Sequence, residues 1–525
     1  MNTPLRILWN KKWPLVICAG ILLGLSYPPF PFPFLQIPAL ILLFRLSDLT
    51  ETNREAAYWS YFAFVIWNVI VTYWLMMATF WGGVAAILAN SAVMTIPFVL
   101  QRLVQKRLNV PAYIAIFQSA FWVSYEYLHH HWDLAWPWLA LGNAWSNVPL
   151  LVQYISFTGY LGISFWILLT SSLAYQAISK NGRGTALAAI FAAFFFPAVS
   201  LVQYAAPDIQ PSRKIDVLVV QPNIDSYQYL GGYDNPSQML KMELKLSDSL
   251  RTSQTRAIFW PENAVEPYIS NTSTNNVYAE RVKKTIEDSA KSWGVPIIAG
   301  STYYRFYKDG NAPTLVRHNG SAEPFLYYNA AFSFYPNGSF SVYKKHNLVP
   351  IVERIPFVQF LARHNYFGIK WAQQPWYAKG YDFDQFNVAS TKTPALVCYD
   401  SVFPGWVRGF VTRGAGFISI ITNDGWWGDT SGHKQHFAYA RLRAIELRRW
   451  IVRSANNGIS GIIDPNGMVK VKTKYWERTG FNYKIGVIKP LTFYAKYGPW
   501  FSYLCIGFSV VGIITLLFLR WFRRL

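Results

Sequence analysis

Residues 394–400 read PALVCYD, an apolar run that ends on Cys398 and is followed by the break Phe403-Pro404-Gly405. Such a run predicts a buried strand over Ala395 to Tyr399, and a strand end is where a side chain is presented to a substrate. The chain has three cysteines, and Cys18 and Cys505 lie in long apolar stretches, so Cys398 is the thiol placed to meet a polar molecule. One such thiol makes neither a disulfide staple nor a four-ligand zinc site. Taken alone, a free cysteine packs as a small hydrophobe as readily as it reacts. Its neighbours in the fold decide.

Around this stretch the sequence alternates strand and helix signals. Strands are expected at Ile215 to Gln221, Ala257 to Trp260, Pro296 to Gly300, Ala330 to Phe334, Phe417 to Thr422 and Gly461 to Ile463. Helices are expected at Gln238 to Arg251, Val277 to Trp293 and His436 to Arg449. Pro336-Asn337-Gly338 and Pro465-Asn466-Gly467 mark hairpins. No internal repeat interrupts the pattern. Residues 206–495 therefore read as one α/β catalytic domain, long enough to bury a substantial core.

The flanks belong to a different solvent. The 525 residues are 52% hydrophobic, 18% aromatic and 14% charged, too apolar for an ordinary soluble protein and too polar to lie wholly in a membrane. Residues 1–204 hold ten Lys/Arg and five Asp/Glu. Seven spans are expected within 1–205: Trp13 to Tyr27, Phe34 to Leu49, Tyr58 to Met77, Trp81 to Leu103, Ala112 to Leu128, Ile155 to Ala177 and Thr185 to Ala205. An eighth, Trp500 to Leu519, lies in 496–525. Tyr27-Pro28-Pro29 lacks the small residues of a cleavage site, so the first span is not read as a removable signal. Lys and Arg flanking a span stay cytoplasmic. Arg6, Lys11, Lys12, Arg45, Arg54, Arg102, Lys106, Arg107, Lys180, Arg183, Arg520, Arg523 and Arg524 all fall on one side of an eight-span arrangement. Both termini are then cytoplasmic and 206–495 lies outside, in a periplasm where the cell has one. Residues 201–500 carry 35 Lys/Arg against 22 Asp/Glu, a surplus of 13 out of the chain's +21, which suits anionic headgroups or a solvated face, and a nucleic-acid partner is not expected.

Two polar residues stand at further strand ends. Glu262 follows Trp260-Pro261, where the proline stops the ladder, and Lys345 follows the Pro336-Asn337-Gly338 hairpin. Each alone reads as a surface residue. Together a carboxylate, an amine and a thiol supply a general base, an oxyanion stabiliser and a nucleophile, the set that acyl transfer through a thioester needs. Other features carry less. His129-His130-His131 lacks carboxylate or thiol partners at ligand spacing. Glu126, inside a span, suggests a headgroup contact or an interfacial position. Asn271-Thr272-Ser273 fits a glycosylation pattern and is given no weight.

At these residues the chain resembles the nitrilase superfamily, whose Glu-Lys-Cys triad has this order, and more closely its integral-membrane branch, the apolipoprotein N-acyltransferases. The likeness extends over nearly the whole chain. It rests on Trp136-Pro137-Trp138-Leu139, Gly162-Ile163-Ser164-Phe165, Trp260-Pro261-Glu262, Leu348-Val349-Pro350 with Glu353, Cys398-Tyr399-Asp400, Asn423 to Asp429, Gln435-His436, Ala440 to Glu446 and Ala455 to Ser460. The resemblance implies a polytopic α-helical membrane domain of about eight spans joined to an αββα sandwich. It implies Glu262 as base, Lys345 rather than the adjacent Lys344 as oxyanion stabiliser, and Cys398 as the acylated nucleophile. Glu353, Tyr399 and Asp400 are implied in support. The chain departs from the family's pattern at Asp400, where glutamate is usual, at His346-Asn347 and Ile351-Val352, and by having Tyr227 and Tyr229 where a tryptophan is usual.

The implied reaction moves a fatty acyl chain from a phospholipid to the N-terminal amine of a diacylglyceryl-cysteine apolipoprotein, at a bacterial inner membrane and without cofactor or metal. Aromatics at Trp371, Trp376, Tyr377, Trp426 and Trp427 are expected either in loops that dip into headgroups or in the core. A membrane-tethered amide hydrolase would use the same triad with water as acceptor. A transporter or scaffold would need polar residues along its spans, and these offer few.

Overall fold

A computed structural model describes residues 9–180, 182–207, 209–272, 276–307, 316–318, 323–364 and 376–522. Arg6, Ser273, Trp371, Arg523 and Arg524 lie outside the described residues. The chain divides into two compact units, one of Met1–Asp208, Thr430–Glu446 and Thr492–Leu525, the other of Ile209–Asp429 and Leu447–Leu491. The first unit therefore takes in a helix, Ser431–Leu447 as far as Glu446, that lies inside the expected 206–495 domain.

The first unit is helical, with several apolar helices. Among the described residues four are long and apolar enough to cross a membrane: Phe80–Arg107, Leu161–Lys180, Arg183–Ala205 and Trp500–Trp521. The count of eight spans is thus not reached by length and composition. Lys12–Leu25 and Gln36–Leu49 have 14 residues each. At 1.5 Å per residue each reaches about 21 Å, short of a hydrocarbon core of roughly 30 Å. Asn53–Thr72 begins with Arg54 and Glu55.

Polar groups inside this unit are spent on one another. Glu126 accepts from Trp122 Nε1 at 2.9 Å and from the Leu141 amide at 2.8 Å, so it anchors the start of the short 3-10 helix Leu141–Asn147. Trp132 donates to His129 Nδ1, which leaves Nε2 to donate to Asn90 Oδ1, while His130 pairs with Tyr160 and His131 with the Tyr127 carbonyl. The three rings face different partners, and the described residues hold no cluster suited to a metal ion. Gln435 receives the indole N–H groups of Trp74 and Trp138 and donates to the Pro28 and Val71 carbonyls. Glu446 accepts the Tyr160 amide, and the Arg443 guanidinium lies 4.7 Å from the Tyr160 ring centroid. These bonds tie the inserted helix into the first unit.

The second unit holds two main sheets. In the first, the strands run Thr479–Val487, Arg213–Gln221, Thr255–Phe259, Ile297–Phe306, Pro324–Phe334 and Arg317–His318, with Val265–Ser270 and Phe340–Lys344 paired alongside. In the second they run Ala395–Val397, Ile418–Thr422, Ile451–Ala455, Gly461–Ile463 and Val469–Lys472. The sheets meet where Phe259 packs edge-on against Phe417 and where Ser454 Oγ donates to the Val220 carbonyl at 2.9 Å. Helices Pro236–Leu250 and Val277–Trp293 cover the first sheet through Leu240, Val282, Ile286 and Ala290, which join Leu218, Val220 and Ile258 in one core. Both expected hairpins form at their Pro-Asn-Gly turns.

Candidate active site

Cys398 sits one residue beyond the fully buried strand Ala395–Val397, at the start of a tight turn to Val402. Its φ is +48°, a left-handed conformation that costs a non-glycine residue about 1–2 kcal/mol. The strand therefore ends two residues earlier than expected. The turn is braced by Ser401 Oγ, which donates to the Cys398 carbonyl at 2.7 Å. Strain of this kind lifts a side chain off the end of a sheet, as nucleophile elbows do.

Glu262 reaches the same place from the first sheet. Its strand, Thr255–Phe259, stops before Trp260-Pro261, and the backbone then passes so close to Gly300 that a Cβ there would lie 2.6 Å from the Glu262 Cα. Both carboxylate oxygens are bonded. Oε1 accepts from Asn329 Nδ2 at 2.7 Å and Oε2 from the Asn423 amide at 2.9 Å. Burial raises the Glu262 pKa, the Lys345 charge opposes the rise, and Glu353 adds to it. A carboxyl shifted toward neutrality is suited to accept and return a proton.

Lys345 follows the strand Phe340–Lys344, whose hairpin partner carries Asn329, and its amide donates to the Asn329 carbonyl at 2.9 Å. With the side chain 1% exposed, its Nζ lies 2.9 Å from Glu353 Oε1 and 3.7 Å from Glu262 Oε1. Lys344 instead reaches Asp382 at 3.0 Å. Burial works to lower the Lys345 pKa, but the Glu353 and Glu262 carboxylates outweigh it, so the group stays an ammonium. Glu353 is itself held by the Val349 amide at 2.8 Å and by Asn329 Nδ2 at 2.8 Å.

Burial pushes the Cys398 thiol up, and Glu262 adds to this, while Lys345 opposes it. Asp424 raises it further and a hydrogen bond from the Thr422 side chain lowers it. At rest the sulfur is therefore a thiol, and ionisation must be coupled to proton transfer. Asp400 points away from this cluster and works on the backbone. It accepts from the Tyr343 hydroxyl at 2.6 Å, the Asn347 amide at 2.7 Å and Asn347 Nδ2 at 3.0 Å, which fastens the segment after Lys345 to the turn after Cys398. Burial raises its pKa to about 6. Tyr399 is buried with its ring edge-on to Phe403.

Of the aromatics expected in headgroup loops or in the core, Trp376 is buried in the main core and the Tyr377 ring packs edge-on against Tyr327. Trp426 is 40% exposed, and the Tyr227 hydroxyl donates to its carbonyl at 2.7 Å.

Asn329 escapes a motif search, yet it ties the two carboxylates together. It is an asparagine in the run Tyr327-Tyr328-Asn329-Ala330-Ala331-Phe332, and a polar residue in a continuous apolar strand is the signal that could have found it.

The family model described as carbon-nitrogen hydrolase matches residues 217–486, and that described as apolipoprotein N-acyltransferase N-terminal domain matches residues 19–173. The apolipoprotein N-acyltransferase of Chlorobaculum tepidum is 27% identical over 97% of this chain and 97% of its own. That of Geobacter metallireducens is 25% identical over 96% of this chain and 95% of its own. Among solved structures, Saccharomyces cerevisiae Nit3, a member of the nitrilase superfamily, matches 53% of this chain and 91% of its own at 14% identity with a TM-score of 0.38.

Proposed function

The chain belongs to the carbon-nitrogen hydrolase family, and from that premise we propose that it is an N-acyltransferase that moves a fatty acyl chain from a membrane phospholipid to the N-terminal amine of a diacylglyceryl-cysteine apolipoprotein. The observation that carries this reading is the buried Lys345 ammonium set between Glu262 and Glu353 beside the Cys398 elbow. That arrangement sits in a chain that also has several long apolar helices. The full-length likeness to proteins named apolipoprotein N-acyltransferase supports the choice of acceptor.

In the first half-reaction Glu262 takes the Cys398 proton as the sulfur attacks the ester carbonyl of the phospholipid. The tetrahedral oxyanion is met by Lys345 Nζ and the Tyr399 amide. Collapse breaks the ester C–O bond, and the lysophospholipid oxygen leaves with the proton held on Glu262. In the second, the acceptor's neutral amine attacks the thioester, its proton passes to Glu262, and the expelled sulfur recovers that proton. Glu353 and Asn329 keep the carboxylate and ammonium in register throughout. The arrangement we infer has about eight spans in 1–205 and 496–525, with 206–495 forming an αββα sandwich on the periplasmic side of a bacterial inner membrane and both termini in the cytoplasm.

The test is the mass of Cys398 in purified enzyme incubated with phospholipid alone. An acyl adduct labile to hydroxylamine is expected. A diacylglyceryl-cysteine peptide should then discharge it to an amide, while the N-acetylated peptide leaves it in place. Rapid release of free fatty acid, unaffected by either peptide, would make the chain a hydrolase.

A further inference from the structure

Behind Cys398 lies a second buried group of residues that neither half-reaction above uses. The strand Ala395–Val397 runs parallel to Ile418–Thr422 with Val397 opposite Ile421, and Cys398 and Thr422 are the residues that follow this last matched pair. The Thr422 hydroxyl donates to Asp424 Oδ1 at 2.9 Å and also lies within hydrogen-bond reach of the Cys398 sulfur. Asp424 Oδ2 receives Arg453 Nη2 at 2.8 Å, with both side chains 0% exposed. The fit is close: a Cβ at Gly458 would lie 2.3 Å from Asp424 Oδ2. Arg453 is anchored in turn by Nε, which donates to the Ile459 carbonyl at 3.1 Å.

A carboxylate beside a thiol opposes formation of the thiolate, so a bare Asp424 would hinder the chemistry. Paired with Arg453 it becomes instead a fixed acceptor. A threonine hydroxyl has one proton to donate. We propose that Thr422 is a positioning residue for the Cys398 sulfur, donating its hydroxyl proton to Asp424 while the sulfur is protonated or acylated and turning it to the sulfur whenever negative charge develops there. No bond to hydrogen is broken in this exchange. The proton stays on Thr422 Oγ1, and the thiol proton still goes to Glu262. The thiolate is formed in the first half-reaction and expelled in the second, so one hydroxyl serves both.

The inference rests on Cys398 as the nucleophile but not on the identity of its substrate. Glu262 and Lys345 also act on the Cys398 sulfur, Glu353 and Asp400 act on Lys345, and all four are kept in the test. The experiment is the rate of Cys398 alkylation by iodoacetamide in the full-length solubilised protein from pH 6 to 10, read by peptide mass. Valine keeps the shape of threonine without the hydroxyl, and serine keeps the hydroxyl without the shape. Thr422→Val should displace the profile upward by about one pH unit, near tenfold slower on its rising limb, while Thr422→Ser stays close to the parent. Packing alone predicts the opposite order, with valine normal and serine impaired, and that result would overturn the proposal, as would three superposed profiles. The labelling needs no lipid, so a failure of acyl transfer leaves its outcome intact. Should Thr422→Val not fold, Thr422→Ala set against Thr422→Ser gives the same comparison.

Discussion

Lys345 keeps its charge in a place with almost no water because two carboxylates surround it. Removing it strands them. Lys345→Met should abolish acyl-enzyme formation, losing stabilisation of roughly 3–4 kcal/mol at the oxyanion. It should also lower the melting temperature at pH 8 more than at pH 5. The sign follows from Glu262, whose folded pKa burial already raises and Lys345 restrains. Without the ammonium it rises further above the unfolded value, so its contribution to stability is present at low pH and lost as pH increases through the folded pKa. Thermal unfolding of both proteins across that range checks it, and equal melting losses at the two pH values would refute the coupling. Cys398→Ala, by contrast, should end transfer with little change in melting, and Cys18→Ala should remain active. Glu262, Lys345 and Cys398 were singled out because each stands between or beside strand and turn signals, and the family resemblance supplied the roles expected of them. Asn329, Thr422 and Arg453 were not, since an isolated polar residue in an apolar strand carries no label of its role, and an arginine reads as exposed although Arg453 is fully buried.

The helix Pro236–Leu250 covers the first sheet with Met239, Leu240, Glu243 and Ser247 inward, and Ser247 receives the Trp260 indole at 2.9 Å. Glu243 is fully buried, and neither of its carboxylate oxygens has a hydrogen-bond partner among the described residues. Burial raises its pKa well above the ordinary value. Its neutral form is tolerated at low pH, and the cost grows as pH climbs from the unfolded pKa toward the folded one. Glu243→Gln should therefore stabilise the protein at pH 7, by about 1–3 kcal/mol, with the gain shrinking toward pH 4. Denaturation with intrinsic tryptophan fluorescence would measure this, and a less stable variant at pH 7 would show that Glu243 has a partner of its own. This helix was expected at Gln238 to Arg251 and begins two residues earlier, while Val277–Trp293 was readable from its apolar spacing and was placed to the residue. Several strands were not. Val265–Ser270 contains Pro267, which argues against a ladder. Val469–Lys472 alternates lysine with valine and gives only four residues to judge. Ile451–Ala455 was not expected as a strand, and the helix expected to run to Arg449 just before it stops at Leu447.

At the scale of the whole molecule, loop charge is the one feature that orients the chain. Reporters joined after Asn109 and at the C-terminus should report cytoplasm, and one inserted at Asn337, in an exposed hairpin turn, should report the outer compartment. A cytoplasmic signal at Asn337 would reverse the arrangement. The membrane region was legible as apolar runs, but hydropathy could not tell a 14-residue helix from a full crossing, because both present an unbroken apolar face. Nor could it reveal that Thr430–Glu446, bordered on both sides by the second unit's sequence, packs through Gln435 and Glu446 with the first. The polypeptide passes from one unit to the other four times, which bears on ancestry as much as on folding. Neither unit can be inherited, deleted or traded as a cassette, since any single cut that frees one strips a segment from it or leaves a foreign helix in the other. Two bodies threaded in this way are bound to diversify as a single gene.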